Sequence, residues 1–229
     1  MDRVKTGITG LDDILSGGIP RNQVMLLTGT AGTGKTIFCS QFIHAGLKAH
    51  KEPGVYLTFE EPAEYIKENV KEFGFDFSPY EKAGTFAFIK YDPYRAEDVL
   101  EALESTIREV GAKRVVIDSV SALALHIRDE EELRRIVFNM SVMLRKLKCT
   151  AILVSEIVAG SHGISRYGVE EFVSDSVVVL YYERHQSTFS RALQVWKLRG
   201  STHSKKLHPY EVGDHGITVN PYEEAFVKD

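Results

Sequence analysis

Short apolar runs alternate with longer amphipathic stretches along most of this chain. Residues 24–28, 55–59, 85–91, 115–117 and 151–155 are apolar or β-branched segments of strand length. Bounded by glycine, proline or a polar residue, such runs predict buried strands. Between them, apolar residues recur at helical spacing. Residues 35–50 carry Phe38, Phe42, Ile43 and Leu47 on one face, predicting an amphipathic helix. Residues 63–73 predict a helix ended by Gly74, and residues 96–110 one closed by Gly111, with Val99, Leu103, Ile107 and Val110 inward. Residues 130–148 predict a long helix carrying Leu133, Ile136, Val137, Met140, Leu144 and Leu147. A shorter helical stretch, 11–15, lies among Gly7, Gly10, Gly17, Gly18 and Pro20. Strands that alternate with helices imply a parallel sheet covered on both faces. The tail breaks this rhythm. Residues 177–182 and 192–198 are β-rich and predict a hairpin, and 216–219 adds a strand. The expected fold class is α/β, a mostly parallel central sheet with helices on both faces and an antiparallel C-terminal extension.

Length changes this picture little: 229 residues without an internal repeat suit one domain over 1–229. No run of about 18 apolar residues exists, and the first residues lack the apolar stretch of a secretory signal, so a cytoplasmic protein without a membrane span is expected. Cys39 and Cys149 are too few for a disulfide framework and are expected to be reduced. The net charge of −4 argues against a surface built throughout to grip nucleic acid, and leaves room for a local basic patch. The eight histidines form no metal-like cluster.

The strongest chemical signal is Gly29-Thr30-Ala31-Gly32-Thr33-Gly34-Lys35-Thr36, which matches G-x-x-x-x-G-K-[ST] between an apolar strand and a helix. Small residues let consecutive backbone N–H groups face phosphate oxygens, and the helix dipole favours the anion. Lys35 is expected to reach the β and γ phosphates, and the Thr36 hydroxyl to be a Mg²⁺ ligand. ATP is the expected nucleotide. The run Arg114-Val115-Val116-Ile117-Asp118-Ser119 reads as a Walker B strand, whose Asp118 carboxylate would hold Mg²⁺ through a water. A strand-terminal Asp capping a turn has the same pattern.

Two further elements are ambiguous on their own. Glu60-Glu61 ends the strand that follows the loop's helix, where a carboxylate could polarise an attacking water. A solvated acidic turn ahead of a helix reads identically. In Lys197-Leu198-Arg199-Gly200, positions 197 and 199 share one side of a strand and would suit phosphate in the same subunit, in a neighbour or in nucleic acid. An exposed basic strand face is the plainer reading.

Taken together, the chain resembles the KaiC family of RecA-superfamily P-loop ATPases, in single-domain form. The resemblance runs from about Thr6 to Val219. It rests on residues 6–20 (TGITGLDDILSGGIP), the P-loop, Tyr56-Leu57-Thr58-Phe59-Glu60-Glu61, Ile117-Asp118-Ser119-Val120, residues 166–175 (RYGVEEFVSD), residues 197–203 (KLRGSTH) and Asp214-His215-Gly216-Ile217. It implies a RecA-like fold and nucleotide contacts from Gly29 through Ile37. It implies that Glu60 and Glu61 activate water. It also implies a homo-oligomeric, hexameric ring in which Lys197, Leu198 and Arg199 reach the nucleotide of the adjacent subunit. Ser201 and His203 would lie near that nucleotide, and Asp214 near its sugar or base. Two departures limit the likeness. The clock protein carries two such domains in tandem. The place of its phosphorylated Ser-Thr pair is here Glu170-Glu171, which cannot accept a phosphoryl group as hydroxyls do.

Three functions compete on these grounds: an ATP-hydrolysing switch, a RecA- or RadA-like recombination accessory, and a nucleotide-dependent scaffold read by a protein partner. The segment 157–166, where RecA relatives place DNA-binding loops, offers only Arg166 as a basic residue, with His162.

Overall fold

The structure is a computed structural model and describes residues 1–91, 96–124, 127, 129–158, 160, 163–185 and 188–225. Its central feature is a twisted sheet built on β3 (Val24–Gly29), which is buried along its whole length. A strand flanked on both sides and covered on both faces must be apolar throughout, which is why residues 24–28 read as a continuous run. On one side β3 pairs in parallel with β7 (Thr150–Glu156), followed by β6 (Arg114–Asp118), β4 (Gly54–Thr58) and β5 (Phe86–Lys90). On the other side it pairs in parallel with β8 (Ser176–His185). There the direction reverses. β9 (Thr188–Leu198), β10 (Leu207–Gly213) and β11 (Gly216–Val219) follow as an antiparallel meander. Among the described residues the sheet order is β11-β10-β9-β8-β3-β7-β6-β4-β5. The short strands β1 (Arg3–Val4) and β2 (Ile19–Pro20) pair separately around α1 (Leu11–Ile14).

Alternation along the strands divides the core into two layers. Met25 and Leu27 of β3 and Val116 of β6 face the layer containing α2 (Lys35–Ala45). Val24, Leu26, Val115 and Ile117 face the layer of α5 (Ala96–Val110) and α7 (Glu130–Lys146), where Leu103, Val137, Met140 and Leu144 close the core. Each fully buried aliphatic or aromatic side chain contributes about 1.5–3 kcal/mol. α7 starts cleanly because the Asp129 carboxylate accepts from the Glu131 N–H at 2.8 Å. α3 (Ala63–Lys71) and the short helices α4 (Ser78–Lys82), α6 (Val120–Ala124) and α8 (Glu170–Val173) complete the described elements.

One expectation needs correction. The helix after the P-loop is not amphipathic: Phe38 through Ser40, Gln41 and Phe42 through His44 are all buried. Its outward side is covered by the β10–β11 hairpin, through Ile217 and Val219. Gln41 ties the two together, donating to the Ile217 carbonyl at 3.2 Å and accepting from its N–H at 2.8 Å. The helix also ends as a π-helical turn over Gly46–His50, stopped by Lys51 at φ 52°. The hairpin expected in the tail is present and longer than its apolar residues show. β8 pairs with β3 only as far as Leu180, so residues 181–185 project beyond the end of β3. Both cysteines are buried and unpaired.

Candidate nucleotide site

β3 delivers Gly29 to the C-terminal edge of the sheet, and α2 begins six residues later at Lys35. The loop between them needs its glycines. A Cβ at Gly29 would stand 2.6 Å from the Leu180 carbonyl oxygen, and Gly34 caps α2 at φ 86°. No side chain caps α2, so its first N–H groups remain free to face a ligand. The Lys35 ammonium donates to the Gly29 and Thr30 carbonyls, each at 3.0 Å, and so lies folded over the loop. Burial lowers its pKa, while the Glu156 and Asp118 carboxylates act in the opposite direction. The loop is braced by Thr33 Oγ1 donating to the Thr30 carbonyl at 2.8 Å.

Asp118 ends β6, one strand removed from β3, and still reaches the loop helix. Its Oδ2 accepts from Thr36 Oγ1 at 3.3 Å and from the Tyr56 hydroxyl at 2.7 Å. Burial pushes the Asp118 carboxyl above its ordinary range, opposed by the Tyr56 hydrogen bond and the Lys35 charge. The Asp118–Ser119 peptide is cis. A hydroxyl and a carboxylate side by side are hard oxygen donors that fit Mg²⁺. Among the described residues no three His, Cys, Asp or Glu side chains converge as a metal cage. A cation here would complete its shell from water and phosphate oxygens.

Glu60 and Glu61 follow β4 and line a cavity of about 340 Å³ with the loop, Asp118 and Glu156. Burial raises the pKa of both glutamates. For Glu60 the Glu156, Asp118 and Glu61 carboxylates add to the effect, and Lys35 counters it. Ile37 and Ile66 supply apolar wall. Glu156 is absent from the sequence-derived set. It is the last residue of β7, the strand directly beside the loop strand. The apolar run stops at Ser155, so the expected strand ended one residue short of it; a polar residue ending a neighbouring parallel strand was the signal.

The remaining candidates divide between two edges of the sheet. Lys197, Leu198 and Arg199 lie at the end of β9, which is antiparallel, with Leu198 opposite Ser176 and Ser176 opposite Met25. They therefore sit at the edge where β3 starts, whereas the loop sits where β3 ends. There the Lys197 ammonium donates to the Glu171 carbonyl at 2.9 Å and the Ser174 carbonyl at 2.7 Å. Arg199 approaches Asp175 at 3.5 Å, and its side chain is 55% exposed. Ser201 and His203 belong to the same edge: Ser201 accepts from Arg3, and the His203 ring contacts the Ser204 carbonyl at 2.8 Å. Asp214 occupies the β10–β11 turn, on the loop's edge of the sheet. The structure thus brings Lys35, Thr36, Asp118, Glu60 and Glu61 together and sets Lys197 and Arg199 apart from them. Of segment 157–166, Arg166 pairs with Glu156 at 3.8 Å, and His162 lies outside the described residues.

A phosphate loop on the central strand, with the Asp-tipped strand two positions away in a mostly parallel sheet, defines a P-loop nucleotide-binding protein of RecA-like fold. The model of the KaiC ATPase family matches residues 4–224, and the chain belongs to that family. A UPF0273 protein of Methanopyrus kandleri is 42% identical over 100% of this chain and 96% of its own. The circadian clock protein KaiC3 of Synechocystis is 34% identical over 96% of this chain, which spans 46% of that relative. Among solved structures, a KaiC-like protein of Pyrococcus horikoshii superposes with a TM-score of 0.89 at 37% identity, covering 96% of this chain and 99% of that one.

Proposed function

We propose that the chain is an ATP hydrolase that works as a ring, with each site completed by the next subunit and turnover used as a conformational switch. The observation that carries this reading is the separation of the two charged groups. Acidic and loop residues gather at one edge of the sheet, and a partly free Arg199 with Lys197 stands at the other. A phosphate group over Lys35 cannot be reached by Arg199 of the same chain. It can be reached by Arg199 of a copy docked head to tail, an arrangement that closes into a ring when the rotation allows.

The two faces also complement each other. Beside Arg199 runs a groove of about 560 Å³ lined by Arg134, Arg135, Phe138, Arg145 and Phe172, with Glu131 as its one carboxylate among the lining residues. Phe138 and Phe172 are more than half exposed. The opposing face presents exposed Glu61, Glu64 and Glu68 with exposed Tyr65 on α3. Cationic and aromatic residues facing carboxylates favour one docking register.

Within the site, Lys35 and the loop N–H groups hold the phosphates, and Glu60 or Glu61 orients and deprotonates water. Arg199 of the neighbour stabilises charge developing on the transferred group. Thr36 and Asp118 would hold Mg²⁺, which when bound neutralises phosphate charge. Size measurement with and without ATP and Mg²⁺, followed by phosphate release on the same sample, tests the proposal. Assembly with turnover is expected; a monomer that hydrolyses at the full rate overturns it.

A further inference from the structure

Between the cavity and the cationic edge lies a series of hydrogen bonds, joined through the backbone of α8, that the chemistry above does not use. It starts at Glu156, whose backbone N–H donates to Ser121 Oγ at 2.7 Å. Ser121 Oγ lies 3.3 Å from Ser155 Oγ, and Ser155 Oγ donates to Glu170 Oε1 at 2.9 Å. A hydroxyl has one proton to give. With the Ser155 proton committed to Glu170, Ser121 must be the donor to Ser155. All links therefore point one way, ending on the Glu170 carboxylate, which is fully buried. Its second oxygen accepts from the Val169 N–H at 3.2 Å.

From Glu170 the chain continues through α8. Ser174 Oγ donates to the Glu170 carbonyl at 2.8 Å, and Lys197 donates to the carbonyls of Glu171 and Ser174. Asp175 then accepts from the β3 N–H of Val24 at 3.0 Å and from Arg145 at 3.0 Å, and pairs with Arg199. A buried carboxylate is costly unless its hydrogen bonds are kept. The segment carrying it is thus held to the Ser121–Ser155 pair as a unit.

We propose that Glu170 is a positioning residue that fixes Lys197 and Arg199 relative to the same subunit's Glu156, so that one nucleotide site sets the geometry of the arm completing the next. This rests on the shared-site reading above. The middle of the network, Ser121, Ser155, Glu170 and Ser174, is buried, and Ser155 Oγ is further fixed by accepting from the Arg166 N–H at 3.3 Å, so a shift at Glu156 is passed on rather than absorbed.

Mixed assemblies test it. A chain with Arg199→Ala keeps a competent loop without an arm, and a chain with Lys35→Ala keeps the arm without a competent loop. Mixing the two is expected to restore turnover. Adding Glu170→Ala to the Lys35→Ala chain should then lower the restored kcat on the order of tenfold, with KM for ATP little changed. Glu170→Gln keeps one acceptor and loses the other, so it should give an intermediate value. Ser155→Ala, a milder change to the fold, should lower the restored kcat as Glu170→Ala does. In uniform assemblies it should also move the Hill coefficient for ATP toward unity. No restoration by the parent pair, in assemblies shown to be mixed, removes the shared site and the coupling with it. Restoration unaffected by Glu170→Ala or by Ser155→Ala in the arm donor removes the coupling alone.

Discussion

The Tyr210 hydroxyl donates to the Thr33 carbonyl at 2.6 Å, joining a strand near the C-terminus to the middle of the phosphate loop. Tyr210 is buried, and burial raises its pKa, so the phenol stays a donor across the working pH range. The bond holds the loop against the β10–β11 hairpin without taking an N–H that phosphate needs. Tyr210→Phe leaves the Thr33 carbonyl unpaired, a cost of about 1–3 kcal/mol. The melting temperature should fall by roughly 2–12 °C, and KM for ATP should rise as the loop loosens. An unchanged melting temperature with unchanged KM would show the loop to be braced elsewhere.

Lys35 gives a direct measure of ligand binding. Its ammonium donates to the Gly29 and Thr30 carbonyls, where phosphate oxygens would compete for it. On the proposed reading, ATP at about 100 times its Kd should stabilise the fold by about 2.7 kcal/mol. For a chain of this size that is a rise in melting temperature of roughly 5–10 °C. Lys35→Ala should abolish most of this rise and leave the ligand-free melting temperature close to that of the parent. A full rise in the variant would move the phosphate contact away from Lys35.

Arg114 governs stability rather than chemistry. Its guanidinium is buried, donates to the Phe42 carbonyl at 2.7 Å and to Glu52 at 2.8 Å, and lies 4.7 Å from the Phe42 ring centre. Arg114→Ala leaves Glu52, among the described residues, with Arg21 as its remaining cation, at a cost of about 3–5 kcal/mol. The melting temperature should drop by roughly 6–20 °C. Arg114→Lys should recover little, because one ammonium cannot reproduce the planar fork. Full recovery by lysine in thermal melts would assign the effect to charge alone.

The parallel half of the fold was legible because its strands are buried on both faces and read as unbroken apolar runs. The loop was legible because phosphate binding restricts residue type at fixed spacing, and Asp118 because it ends such a run. What escaped depends on distant pairing. The burial of α2 on its outer side requires the β10–β11 hairpin, about 170 residues away, and Gln41 gives no local hint of it. β10 carries Pro209 and only alternating burial, a weak strand signal. The helices α4, α6 and α8 have at most five residues, too short for a period to show. Lys197 and Arg199 were legible as a basic pair. Their edge of the sheet was not, since it follows from the reversal of direction at β9.

The acidic side of the cavity fixes a pH dependence with a definite sign. In the proposed reaction, water activation needs an ionised carboxylate, so turnover should be lost as Glu60 and Glu61 take up protons. Burial raises both pKa values, and for Glu60 the Glu156 and Asp118 charges raise it further. The acidic limb of kcat/KM should therefore lie above the ordinary glutamate value of about 4.3, with activity present above it and falling below it. Glu156→Gln removes one neighbouring negative charge, so the limb should move to lower pH. Glu60→Gln with Glu61→Gln removes both bases and should reduce turnover on the order of 10²- to 10⁴-fold, while ATP still raises the melting temperature. A limb that moves to higher pH in Glu156→Gln would contradict the electrostatic account. Phosphate release at the parent rate in the double variant would place the base on another residue.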